Sequence, residues 1–78
     1  MNVALRNGWL EVPYEGRENA VIEFVFGTGD EERAVPAYLD WNEEGKRVAK
    51  IRPQEGLGLG DAVTVRAAGH VVLTARIG

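Results

Sequence analysis

The sequence predicts an all-β domain, a single antiparallel sandwich of about seven strands with a small β-barrel as the alternative. Three observations carry this expectation. Apolar and polar residues alternate with period two from one end of the chain to the other. Turn-forming residues interrupt the alternation about every ten residues. No segment sustains a helical apolar period: the best case, Glu31-Glu32-Arg33-Ala34, is one turn long, and Pro36 stops it.

The elements follow in order. Val3 and Leu5 alternate with Ala4 and Arg6 in a first strand. A second runs from Trp9 to about Tyr14, with Leu10 and Val12 inward and Trp9 and Glu11 outward; Pro13 marks its end, because proline has no N–H for the ladder. Gly16-Arg17-Glu18-Asn19 is a turn. Ala20 to Phe26 is the clearest core strand, with Ile22, Phe24 and Phe26 on one face. Gly27-Thr28-Gly29-Asp30 breaks the pattern. One strand is expected from Arg33 to Trp41, with Val35, Ala37, Leu39 and Trp41 on one side and Pro36 near its start as an edge or bend. Asn42-Glu43-Glu44-Gly45 closes a hairpin onto Lys46 to Arg52. The glycine-rich stretch from Pro53 to Gly60 crosses to a last hairpin, Ala62 to Ala67 and His70 to Ile77, turned at Ala68-Gly69. The expected inward set is Val3, Leu5, Leu10, Val12, Ile22, Phe24, Phe26, Val35, Leu39, Trp41, Ile51, Val63, Val65, Val71, Leu73 and Ile77.

Seventy-eight residues make one domain, 1–78. A chain this short buries only about 60–65% of the surface its unfolded form exposes, so its core is thin. Small scaffolds usually add disulfides, a metal or a partner subunit. There is no cysteine and one histidine, which excludes disulfides and thiolate metal sites. A partner subunit remains, and an oligomer or a lattice-bound protein is expected. No run approaches the ~18 apolar residues of a membrane helix. The N-terminus lacks a basic stretch followed by an apolar one. A virion, or otherwise the cytoplasm, is the expected location, with no membrane role.

Charge is unevenly distributed. Residues 1–45 carry three basic and ten acidic side chains, a net of −7; residues 46–78 carry six basic and two acidic ones, a net of +4. A domain with one acidic and one basic half attracts copies of itself or a two-faced partner. The candidate interface residues are Asp30, Glu31 and Glu32 on the acidic side, and Lys46, Lys50 and Arg52, which share one strand face, on the basic side. That basic stripe serves an acidic protein surface, an anionic partner such as nucleic acid, or an edge strand kept from aggregating by charge. Trp9, on the face of Glu11, joins the candidates as an exposed aromatic.

The chemistry-bearing motifs point away from catalysis and cofactors. Gly56-Leu57-Gly58-Leu59-Gly60 is followed by a strand rather than by the helix whose amides cradle a phosphate, and no Gly-Lys-Ser/Thr is present. Asp30-Glu31-Glu32 lacks the interleaved spacing of a calcium loop. The chain has no serine and no cysteine to serve as a nucleophile for His70. A non-enzymatic structural or interaction module without cofactor is expected.

Two resemblances add to this. Leu57-Gly58-Leu59-Gly60-Asp61-Ala62-Val63-Thr64-Val65, followed by a turn and Val71-Val72-Leu73-Thr74-Ala75-Arg76-Ile77, resembles the closing hairpin of small immunoglobulin-like modules of bacterial and phage surface proteins. The chain departs from them at Ala62, near the usual corner tyrosine, and lacks their cysteine pair. That resemblance implies an immunoglobulin-like sandwich with a binding role, and a capsid decoration or surface-assembly protein as the specific function. Val48-Ala49-Lys50-Ile51-Arg52-Pro53-Gln54-Glu55, with the Leu-Gly-x-Gly-Asp turn and its two strands, is similar to the swapped-hairpin DNA-binding regulators and antitoxins. In this chain Arg52 separates Ile51 from Pro53 where those proteins have Ile-Pro, and its first 45 residues have no place in their small fold. That similarity implies the alternative, a DNA-binding transcriptional regulator.

Overall fold

The computed structural model describes Asn2–Gly78; Met1, the first residue of the expected domain, lies outside the described residues. Eight strands form: β1 (Asn2–Arg6), β2 (Trp9–Pro13), β3 (Ile22–Phe26), β4 (Arg33–Pro36), β5 (Tyr38–Trp41), β6 (Arg47–Ile51), β7 (Ala62–Ala67) and β8 (His70–Ile77). A single 3-10 turn, Gly29–Glu31, sits between β3 and β4. The chain is thus all-β, as the alternation requires.

The strands order as β4-β3-β7-β8-β1-β2-β6-β5 in one sheet that curls into two facing layers and nearly closes as a barrel. One layer is β4-β3-β7-β8 and the other is β1-β2-β6-β5. The layers join where β1 runs parallel to β8, with Val3 opposite Ile77. Every other pairing is antiparallel, so the sheet is mixed, and the strands number eight where about seven are expected.

The extra strand arises at Pro36. One continuous strand is expected from Arg33 to Trp41, but the segment splits into β4 and β5, which belong to opposite layers. Proline cannot donate to a ladder. The next N–H, of Ala37, bonds the Ile22 carbonyl at 2.8 Å, and the chain then crosses to pair with β6. Two-residue turns close the hairpins at either end of the chain. Asn7-Gly8 (φ 53° and 80°) and Ala68-Gly69 (φ 51° and 80°) both hold the positive φ values of a type I′ turn, whose twist matches that of the strands.

The core lies between the layers and contains Val3, Leu10, Val12, Tyr14, Ile22, Phe24, Phe26, Ala49, Ile51, Val63, Val65, Ala75 and Ile77. Val35, Ala37, Leu39 and Leu73 pack at its margin, half-buried. Three residues expected inside are outside: Leu5, Trp41 and Val71 are 64%, 62% and 65% exposed. Leu5 has the parity of Val3, but the β1–β8 pairing ends at Val3–Ile77, so no strand flanks Leu5 on that side. Trp41 pairs with Arg47, and it is Arg47 that closes that end of the core. Its guanidinium lies 5.7 Å from the Tyr14 ring centroid, donates to the Gly16 carbonyl and pairs with Glu18 at 2.9 Å. Val71 is turned out by a β-bulge. Val65 faces Leu73 but Arg66 faces Val71, so Val72 is an extra residue and the parity of β8 inverts there. Tyr14, absent from the expected core, is among its largest fully buried side chains, with its hydroxyl donating to the Arg17 carbonyl at 2.9 Å.

Candidate interaction faces

Because inward positions are filled by the core, the outward positions of the two layers form two faces of contrasting chemistry. On the outside of β1-β2-β6-β5 the register aligns Ala4, Glu11, Lys50 and Tyr38 across four strands, and Pro13, Val48 and Asp40 across three. Arg6 stands beside Trp9 at one end. Ion pairs join Arg6 Nε to Glu11 Oε1 at 3.3 Å and Lys50 Nζ to Asp40 Oδ2 at 2.6 Å.

Three candidate residues meet on this face. The Arg52 guanidinium lies 3.8 Å and the Lys50 ammonium 4.4 Å from the centroid of the Trp9 ring, and Tyr38 meets that ring edge-on at 5.8 Å. The quadrupole of the indole attracts both cations to its face. Arg52 also donates to the Gly8 carbonyl at 3.1 Å, tying the end of β6 to the first hairpin. The basic stripe therefore folds back on a tryptophan. It does not guard an edge: β6 lies inside its layer between β2 and β5. Lys46, outside β6, is exposed in the hairpin turn, where its N–H bonds the side chain of Asn42. The edge strand on this side is β5, and there Asp40 caps the Trp41 N–H with its own Oδ1 at 2.8 Å. The Lys50 ammonium, followed by the Trp41 N–H, holds the Asp40 carboxyl below its ordinary pKa.

The outside of β4-β3-β7-β8 is different. One row reads Ala34, Val25, Thr64, Thr74 and the next reads Pro36, Glu23, Arg66, Val71. Its central charges are one ion pair, Arg66 to Glu23 at 3.4 Å, which leaves Arg66 Nε shielded without a hydrogen-bond partner. Val21 is 73% exposed just before β3, and its carbonyl accepts from the N–H of Ala68 at the hairpin tip. Val71 and Val72 are exposed on the last strand of this layer. The period-two pattern hides this patch, because the bulge that turns Val71 out has no local sequence signal.

The acidic candidates Asp30, Glu31 and Glu32 do not join Trp9. They lie on the β3–β4 connection; Asp30 and Glu31 border a depression with Phe26, Leu57 and Asp61. Among the described residues no group of three or more metal-ligating side chains is placed around a common point. The glycine loop is tied to itself: the Gly58 N–H donates to Asp61 Oδ2 at 2.8 Å, and the Gly60 N–H donates to the Ile77 carbonyl at 2.7 Å. Two of the amides that a phosphate would need are thus already bonded.

The charge asymmetry is largely consumed inside the molecule. Three of the four ion pairs among the described residues join a base from 46–78 to an acid from 1–45: Arg47–Glu18, Lys50–Asp40 and Arg66–Glu23. The fourth, Arg6–Glu11, lies within the first half. Comparison with family models, with curated proteins and with solved structures finds no match.

Proposed function

We propose that the protein is a non-enzymatic interaction module that docks on a protein surface or on copies of itself, with capsid decoration or surface assembly as its specific role. The observation that carries this is the outer face of β4-β3-β7-β8, where Val21, Val71 and Val72 stand exposed among Ala34, Pro36 and Thr74. Apolar side chains gathered on one face mark protein contact sites. A bulge that re-aims a valine into solvent is a feature of that kind, since an unbulged β8 would have hidden Val71.

The charges that remain set the approach rather than the affinity. With the ion pairs removed, residues 1–45 retain a net of −4 and residues 46–78 a net of +1. Steering by such a field changes association rates more than the strength of the finished contact. The DNA-binding alternative draws no specific observation: β6, which a swapped hairpin would pair with the C-terminal strands, pairs with β2 and β5.

Co-sedimentation with particles from the source tests the proposal. The expected result is pelleting with the particle fraction, lost in Val21→Glu/Val71→Glu. Recovery in the free fraction, together with salt-sensitive retardation of duplex DNA, would move the function to the alternative.

A further inference from the structure

A groove of ≈ 510 Å³ crosses the outside of β1-β2-β6-β5, the face opposite the valines. Arg6, Glu11, Lys50 and Asp40 line it together with Trp9, and the Trp41–Glu44 segment forms one rim. The charges on its floor are already matched, Arg6 with Glu11 and Lys50 with Asp40. The lining holds two bases and four carboxylates, and the surplus pair, Glu43 and Glu44, sits on the rim with no salt-bridge partner among the described residues. A polyanion is repelled there, and a polycation can use the floor only by displacing Arg6 and Lys50 from their carboxylates.

A neutral ligand rich in hydroxyls meets no such conflict. Guanidinium and ammonium donors alternate with carboxylate acceptors along the floor, and each ion pair leaves further N–H groups and lone pairs unused. Hydroxyls both donate and accept, so a row of them bridges such a surface. At the rim Trp41 is exposed with no partner ring. Its indole is the face on which the C–H side of a sugar ring stacks, whereas the Trp9 ring is occupied by Lys50 and Arg52. Asn7 and Asn42 add carboxamides at the groove margin. We infer that this groove is a binding site for a neutral oligosaccharide, with Trp41 as the stacking platform and the Arg6–Glu11 and Lys50–Asp40 pairs as the hydroxyl-binding floor.

The site lies on the layer that points away from the docking face, so the two bind independently. Titration of isotope-labelled protein with cellohexaose, maltohexaose and chitohexaose, followed by amide and indole NMR shifts, tests it. At least one of the three is expected to bind with a Kd of about 1 mM or tighter, with shifts confined to Trp41, Tyr38, Asn42 and the residues flanking Glu11 and Lys50. Trp41→Ala is expected to weaken binding about tenfold or more, and Trp41→Phe to retain most of it. Trp41 is outside the core, so both variants should keep the wild-type amide spectrum elsewhere. Absence of shifts with all three sugars, shifts that map elsewhere, or unchanged affinity in Trp41→Ala would overturn the inference. So would tight binding of oligolysine or polyglutamate in the same groove, since either shows that net charge selects the ligand.

Discussion

At the scale of single residues, Tyr14 and Arg47 determine where the core ends. Tyr14 is fully buried with one polar atom, and that atom is bonded to the Arg17 carbonyl. Tyr14→Phe should therefore cost about 1 kcal/mol, the net worth of one hydrogen bond, and Tyr14→Ala about 3–5 kcal/mol from lost burial and the cavity left behind. Urea unfolding of the two variants separates these figures; near-equal losses would mean that the ring contributes little. Gly16 faces the same ring, and a Cβ there would run into the Tyr14 phenol, so Gly16→Ala should destabilise although the position is in a turn. None of this was legible in the sequence. Tyr14 follows a proline at a strand end, where alternation gives no inward or outward sense. Trp41 shows the converse: its parity is inward, but a long basic side chain from the neighbouring strand reached the position first.

Elements explain where period-two reasoning works and where it fails. It located β2, β3, β7 and most of β8, since each carries a continuous alternating run that one buried face must satisfy. It merged β4 with β5, because the crossing at Pro36-Ala37 keeps the alternation of apolar residues while the chain changes layers. It also misplaced Val71, because a bulge inverts parity without changing composition. Deletion of Val72 should restore the simple ladder: Val71 then directly precedes Leu73, stays opposite Arg66 and stays outward. The expected result is a displaced β7–β8 amide pattern in NMR spectra with Val71 still exposed; an unchanged pattern would show that Val72 is not the extra residue of the ladder.

The edge strand β5 supplies a pH test. Asp40 is held below its ordinary pKa by Lys50 and the Trp41 N–H. A carboxyl whose folded pKa is depressed contributes stability above its unfolded pKa, about 3.9, and loses that contribution as pH falls through the folded value. Asp40→Asn should thus lower the thermal midpoint at neutral pH, by a small amount because the pair is exposed. The gap to wild type should close below about pH 4. A gap independent of pH would mean that neither the Lys50 pair nor the Trp41 cap is what the substitution removes.

For the whole molecule, the sequence pattern reported charge imbalance correctly and its use only in part. Counting residues cannot show that Glu18, Asp40 and Glu23 each sit beside a base from the other half, because those pairs depend on which strands become neighbours. The asymmetry is complementarity within one chain, and it leaves two dissimilar faces. The valine face is the one on which the proposed function rests. Of the interface candidates, Trp9, Lys50 and Arg52 form a single cluster, Lys46 lies in the hairpin turn before β6, at the end of the strand away from Arg52, and Asp30, Glu31 and Glu32 lie on the β3–β4 connection.

The mass of the native species, measured by native mass spectrometry on protein isolated from its source and on purified protein at rising concentration, tests that account most directly. It predicts a species heavier than the 8.5 kDa chain, either a multiple of it or a complex with a larger assembly, that reverts to the single chain in Val21→Glu/Val71→Glu while thermal stability is kept. A single 8.5 kDa species under both conditions, or an assembly indifferent to those two substitutions, would contradict it.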